Sequence, residues 1–157
     1  MKILLLQIDK IQNSYLSEGI ELYTKRIKNY SSFDINTIQI SKNIRKRSVQ
    51  EQKLEEAKLI LQQIQNDDFL ILLDENGKEM NSIEFSDFIF KKQNRSTKRI
   101  IFLIGGPFGF DAILFARADY KLSLSKMTFS HQMIRLFFLE QLYRAFTILK
   151  GEKYHHE

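Results

Sequence analysis

Three histidines and no cysteine bound the chemistry open to this 157-residue chain. Thiol nucleophiles, disulfides and thiolate metal sites are excluded. The sequence has neither a His-Glu-x-x-His zinc pattern nor a Gly-x-Ser-x-Gly nucleophile elbow. A reaction needing neither metal nor covalent nucleophile is favoured by elimination. Four segments carry residues that could perform one. In the first, the apolar run 100–104 leads into Gly105-Gly106-Pro107-Phe108-Gly109. Ligands bind at the carboxyl ends of strands in open α/β sheets, and glycines admit them close to the backbone. The spacing is not a dinucleotide fingerprint and lacks the Gly-Lys-Ser/Thr ending of a P-loop. A ligand loop and a tight strand-to-helix turn both remain open. In the second, Leu122 to His131, a strand end passes through a polar loop to a helix start. Ser130 can cap that helix, placing His131 beside amide groups that disfavour its charged form. A neutral imidazole there can accept a proton or serve only the structure. The third is the pair Arg135 and Arg144. Nine residues at 100° each place them on opposite faces of one helix, so both reach active sites only across a dimer. The simpler alternatives are a salt bridge from Arg144 to Glu140 and a solvated Arg135. The fourth is the tail, where Tyr154 and His155 after Gly151 either fray or fold back over a site.

The elements that position these residues follow from periodicity. Apolar runs predict strands over 2–8, 33–40, 69–73, 100–104 and 120–124. Helical spacing predicts helices over 13–29, around Leu54, Ala57, Leu61 and Ile64, after the capping pair Asn81 and Glu84, from about Asp111, and over 130–150. The strand at 69–73 ends at Asp74, with 75–78 as a turn. The stretch 41–48, holding Lys42, Arg45, Lys46 and Arg47, reads as a mobile basic loop. Strands alternating with helices predict one α/β domain over 1–157, with a mostly parallel sheet covered on both faces. The last helix is apolar over more than one stripe, which predicts a homodimer, the alternative being a fully internal helix. The apolar start is too short for a signal or membrane segment, as expected of a cytoplasmic protein. The net charge of +5 suits a polyanionic partner or a generically basic surface.

The motifs carry the reading further. Leu72-Leu73-Asp74 with Gly77-Lys78, Ile104-Gly105-Gly106-Pro107-x-Gly109, and Leu122-Ser123-x-Ser125-Lys126-Met127-Thr128-Phe129-x-His131 occur in that order. Met133-x-Arg135, Glu140-Gln141-Leu142-Tyr143-Arg144-Ala145 and Gly151-x-x-Tyr154-His155 follow. In order and spacing the chain resembles the RlmH family of SPOUT-class methyltransferases, weakly before Phe69 and specifically after it. The resemblance implies a SPOUT fold with a C-terminal deep trefoil knot, and a homodimer. It also implies methylation of N3 of a pseudouridine in 23S rRNA of the assembled 70S ribosome, with S-adenosylmethionine as donor and no metal. Carried over by position, the donor pocket would be Leu73, Gly105, Leu124, Ser125, Lys126, Met127, Thr128 and Phe129. His131 or His155 would accept the N3 proton. Arg135, Arg144 and Tyr154 would position RNA or stabilise the developing uracil anion. Two departures stand out: Ser130 where the family often has proline, and Asp9 where it often has glycine. The competing readings are a SPOUT methyltransferase acting on tRNA and a non-catalytic ribosome-associated RNA-binding factor.

Overall fold

The computed structural model describes residues 1–156. Five strands, β1 (Lys2–Ile8), β2 (Ser32–Ile38), β3 (Phe69–Glu79), β4 (Arg99–Ile104) and β5 (Tyr120–Ser123), form one sheet in the order β2-β1-β4-β3-β5. Every pairing is parallel. Parallel neighbours need crossover connections, and five helices supply them: α1 (Ser14–Lys28), α2 (Lys42–Arg45), α3 (Val49–Leu61), α4 (Ser82–Asn94) and α5 (Ala112–Arg117); α6 (Met133–Leu149) follows the last strand.

The continuous apolar strands are explained by burial on both faces. Ile3 and Leu5 of β1, Ile100 and Phe102 of β4, and Ile71 of β3 pack with α1, α4 and α6. Their neighbours Leu4, Leu6, Ile101, Leu103, Leu70 and Leu72 pack on the other side against Ala57 and Ile60 of α3 and Leu114 of α5. The period of two sends alternate residues to opposite cores, so these central apolar runs have no polar face, whereas the edge strand β2 exposes Ser32, Asn36 and Thr37. Phe102 and Phe138 meet with ring centroids 4.6 Å apart, fixing α6 over the sheet centre. This is the α/β architecture expected of the sequence.

Three local expectations are revised. The segment 41–48 is not an open loop. Ser41 accepts the Ile44 N–H and opens the short helix α2, and Ser48 then forms a full capping box with Glu51 for α3. The residues 75–78 are not a simple turn. β3 shifts register between Leu73 and Lys78, then pairs β5 again, so the strand reaches Glu79. α6 begins at Met133 rather than Ser130, yet Ser130 caps it from the preceding turn: its Oγ accepts the Met133 N–H at 3.1 Å and its carbonyl the Ile134 N–H at 3.1 Å. The capping box predicted at Asn81 and Glu84 forms. So does a Schellman stop after α6, where Gly151 takes φ 67° and its N–H donates to the Ile148 carbonyl while that of Glu152 donates to Thr147.

Candidate active site

The carboxyl ends of β3, β4 and β5 open into a cavity of roughly 690 Å³. That is within the size range of small-molecule sites. Its walls come from three loops. The β4 loop supplies Gly105 to Phe110, the irregular part of β3 supplies Leu73 to Asn76, and the loop after β5 supplies Leu124, Ser125 and Met127 to His131. The last loop is braced internally and to β3. Ser123 Oγ donates to the Ser125 carbonyl at 2.9 Å, Ser125 Oγ accepts the Met127 N–H at 3.0 Å, and Thr128 Oγ1 donates to Glu75 at 2.7 Å. Lys126 points outward toward Glu79 at 3.9 Å and does not line the cavity. Seven of the eight residues expected at the donor pocket are therefore brought together.

Gly106 explains the close approach of backbone on this side. A Cβ there would lie 3.1 Å from both carboxylate oxygens of Glu56, which is buried in α3 behind the loop. Burial holds the Glu56 carboxyl above the usual range, with Arg45 opposing. Sequence reading missed Glu56, as well as Asp74, Glu75 and Lys53 on the cavity wall. The Glu75 position was legible only as part of a turn, and nothing in the spacing of α3 connects it with the glycine loop.

His131 lines the cavity in the turn before α6. Burial is the main cause that lowers its pKa, with Arg135 and Arg45 adding like-charge repulsion. The imidazole is thus favoured in its neutral form. Gln132 ties this turn to the chain after β1, accepting from Gln12 N–H at 3.3 Å and donating to the Lys10 carbonyl at 3.2 Å.

Arg135 contradicts both alternatives considered from sequence. It is neither solvated nor directed at the cavity, but wholly buried beneath the end of β1. Its guanidinium donates to the carbonyls of Ile8 and Asp9, the latter at 2.8 Å, and its Nε to the carbonyl of His131 at 3.0 Å. Burial pulls its pKa down to about 10, still well above neutrality. The physical reason is the carbonyl end of β1, whose oxygens face no further strand partner and need donors. Arg135 therefore cannot touch RNA here; it fixes the backbone that carries His131.

Arg144, Tyr154 and His155 form a second cluster, distant from the cavity within one chain. About 17 Å of helix separates Arg144 from the start of α6. The tail folds back rather than fraying. Tyr154 Oη donates to Glu140 at 3.1 Å and lies 3.2 Å from Tyr23 Oη, with its ring 4.8 Å from that of Tyr143. Arg144 pairs with Glu140, stands over the Tyr154 ring at 4.8 Å, and has Nη1 3.4 Å from His155 Nδ1. The salt bridge weighed from sequence is present, and so is the fold-back of the tail. Burial chiefly raises the Tyr154 pKa, so the phenol stays a hydrogen-bond donor. The opposite placement of Arg135 and Arg144 around α6 also holds: one is fully buried and the other partly exposed.

Apolar side chains are also exposed on α6, on the loop before it and on α1. Phe137 is 43% exposed, with Phe129 packed on it at 4.8 Å, and Tyr15 and Leu22 of α1 are exposed at 61% and 46%. Among the described residues no group of His, Asp and Glu is arranged to hold a metal, and no helix is long and apolar enough to cross a membrane.

A family model described as "Predicted SPOUT methyltransferase" matches residues 1–155. A protein from Cytophaga hutchinsonii named ribosomal RNA large subunit methyltransferase H is 54% identical over 156 residues, 99% of this chain and 100% of that one. One of the same name from Christiangramia forsetii is 51% identical over 99% of both chains. A third, from Flavobacterium johnsoniae, is 50% identical over the full length of each.

Proposed function

The chain belongs to the RlmH family of SPOUT methyltransferases, and on that premise we propose that it methylates N3 of a pseudouridine in 23S rRNA of the assembled 70S ribosome with S-adenosylmethionine. The observation that carries the reading is the cavity at the ends of β3, β4 and β5, walled by the three motif-bearing loops. Its residues fit the donor. Leu73, Leu124 and Phe129 offer apolar surface, Gly105 and Gly106 line the wall, and Asp74 and Glu75 offer negative charge to a cationic ligand. When bound, S-adenosylmethionine supplies a methyl group already activated by its sulfonium, so the protein need provide only placement and a route for one proton.

Each chain holds half of what that requires. The cavity and His131 lie at one end of α6, and Arg144, Tyr154 and His155 at the other. A homodimer packed through the exposed Phe129–Phe137 pair would bring the tail cluster of one protomer to the cavity mouth of its partner. His131 or the partner subunit's His155 accepts the N3 proton, and Arg144 and Tyr154 donate to the developing uracil anion. Holding methyl and N3 in line accounts for much of the acceleration.

Incubation of the protein and radiolabelled donor with 70S ribosomes, free subunits and bulk tRNA tests the reading. The RNA should come from cells lacking the gene. Label in 23S rRNA of 70S ribosomes is expected. Label in tRNA would overturn the substrate, and absence of donor binding would favour a non-catalytic ribosome-associated factor.

A further inference from the structure

Asp9 ends β1 in the left-handed region, with φ 60°. Side chains other than glycine enter that region at a cost, and such strain persists only where surroundings enforce it. Here every polar group of the residue is engaged. Its N–H donates to the Ile38 carbonyl at 2.8 Å and its own carbonyl accepts from Arg135 at 2.8 Å. Its Oδ1 accepts the Ile40 N–H at 3.2 Å and Gln39 Nε2 at 3.1 Å, and its carboxylate pairs with Arg45 of α2. One residue thus joins the buried arginine of α6 to the segment entering α2. The far side of α2 is tied as well: Gln52 Nε2 donates to the Arg47 carbonyl at 2.8 Å, and Arg47 faces Glu55 at 3.8 Å.

The tethers decide what the basic segment can do. Arg45 is committed to Asp9, whose carbonyl shares the Arg135 guanidinium group with the carbonyl of the cavity-lining His131, so α2 is tied to the His131 side of the cavity. Lys42 and Lys46 are exposed and belong to no ion pair among the described residues. Lys53, one helix further on, lines the cavity itself.

We propose that Asp9 is a positioning residue, holding α2 at the cavity mouth so that Lys42 and Lys46 meet the phosphate backbone of the RNA whose base is methylated. This rests on the rRNA methyltransferase reading and assigns part of its substrate contact. Phosphate contacts fix register and orientation, so a displaced α2 weakens productive engagement without touching the donor.

Asp9→Gly separates positioning from charge. Glycine accepts φ 60° without strain, so the backbone path is kept. Long-range electrostatics alone says that losing a carboxylate beside a basic segment tightens RNA binding; the positioning role says the reverse. Steady-state methyl transfer to 70S ribosomes is measured across a salt series, with donor affinity measured in parallel by calorimetry. For Asp9→Gly the expected result is a KM for ribosomes raised about fivefold, a shallower salt dependence, kcat within about twofold and unchanged donor affinity. Asp9→Asn, which keeps the acceptor for Ile40, should fall between. A ribosome KM equal to or below that of the wild type in Asp9→Gly overturns the inference, as does loss of donor binding in both variants. Wild-type protein that fails to methylate ribosomes overturns the proposed function and this inference with it; normal wild-type transfer isolates the inference alone.

Discussion

His131 shows how burial and two arginines set a protonation state. Burial and the nearby Arg135 and Arg45 lower its pKa, so the neutral imidazole persists below the ordinary histidine value of about 6.5. Because the folded value lies below the unfolded one, the neutral form's share of stability is complete above that ordinary value. It is lost as pH falls through the depressed folded value. For catalysis the same shift means that the acid limb of kcat/KM lies below the ordinary histidine range if His131 takes the proton. His131→Gln should remove that limb and slow transfer by about 10²–10⁴-fold, as measured by pH–rate profiles. An unchanged limb in the variant would assign the proton to another group. At this scale the sequence was only partly legible. Spacing put His131 in the first turn of the last helix, whereas it lies in the turn just before, and seven of the eight residues expected at the donor pocket line one cavity. Arg135 was misread because its partners are the carbonyls of Ile8 and Asp9, more than a hundred residues away. No periodicity announces such a contact, and an arginine flanked by apolar residues looks the same whether its head reaches solvent or a strand end.

Among the elements, α6 does the most to place the chemistry. Its inner face packs Phe138, Leu139, Leu142 and Phe146 on the sheet between α1 and α4. The turn leading into it presents His131 to the cavity, and its Schellman stop turns the tail back toward Arg144. Gly151 is the hinge of that return, and φ 67° there favours glycine over every other residue. Gly151→Ala should cost about 1 kcal/mol of stability by denaturant unfolding. Its effect on methyl transfer should be much larger than on donor affinity, because the tail cluster moves while the cavity does not. Equal losses in both would argue against a separate role for the tail. The strands and long helices were legible because both faces of the sheet are apolar and the helices keep their 3.6-residue stripes. The α2 segment was not. Four residues are too few for a periodic signal, and its order comes from Ser41, Asp9 and Gln52 rather than from its own composition. The extension of β3 past Asp74 was hidden for a related reason. Asp-Glu-Asn-Gly has turn chemistry, and only pairing with β5 returns the chain to the sheet.

At the scale of the whole molecule, one chain is an incomplete enzyme on this account. The Phe129–Phe137 pair and, on α1, Tyr15 and Leu22 remain exposed, and the two clusters of candidate catalytic residues lie toward opposite ends of one helix. The proposed homodimer would resolve both features at once, if its two-fold axis pairs each cavity with the other chain's tail. The net charge of +5 suits a polyanionic target. The direct test is complementation between two inactive variants. Thr128→Trp, at the exposed rim of the cavity, blocks the donor pocket, and Arg144→Ala disables the tail cluster. Each homodimer alone should be inactive on 70S ribosomes. Mixed and allowed to exchange subunits, half of the dimers carry one intact composite site, so about a quarter of wild-type activity should return. Mixtures that exchange subunits yet stay inactive would contradict a site built from two chains.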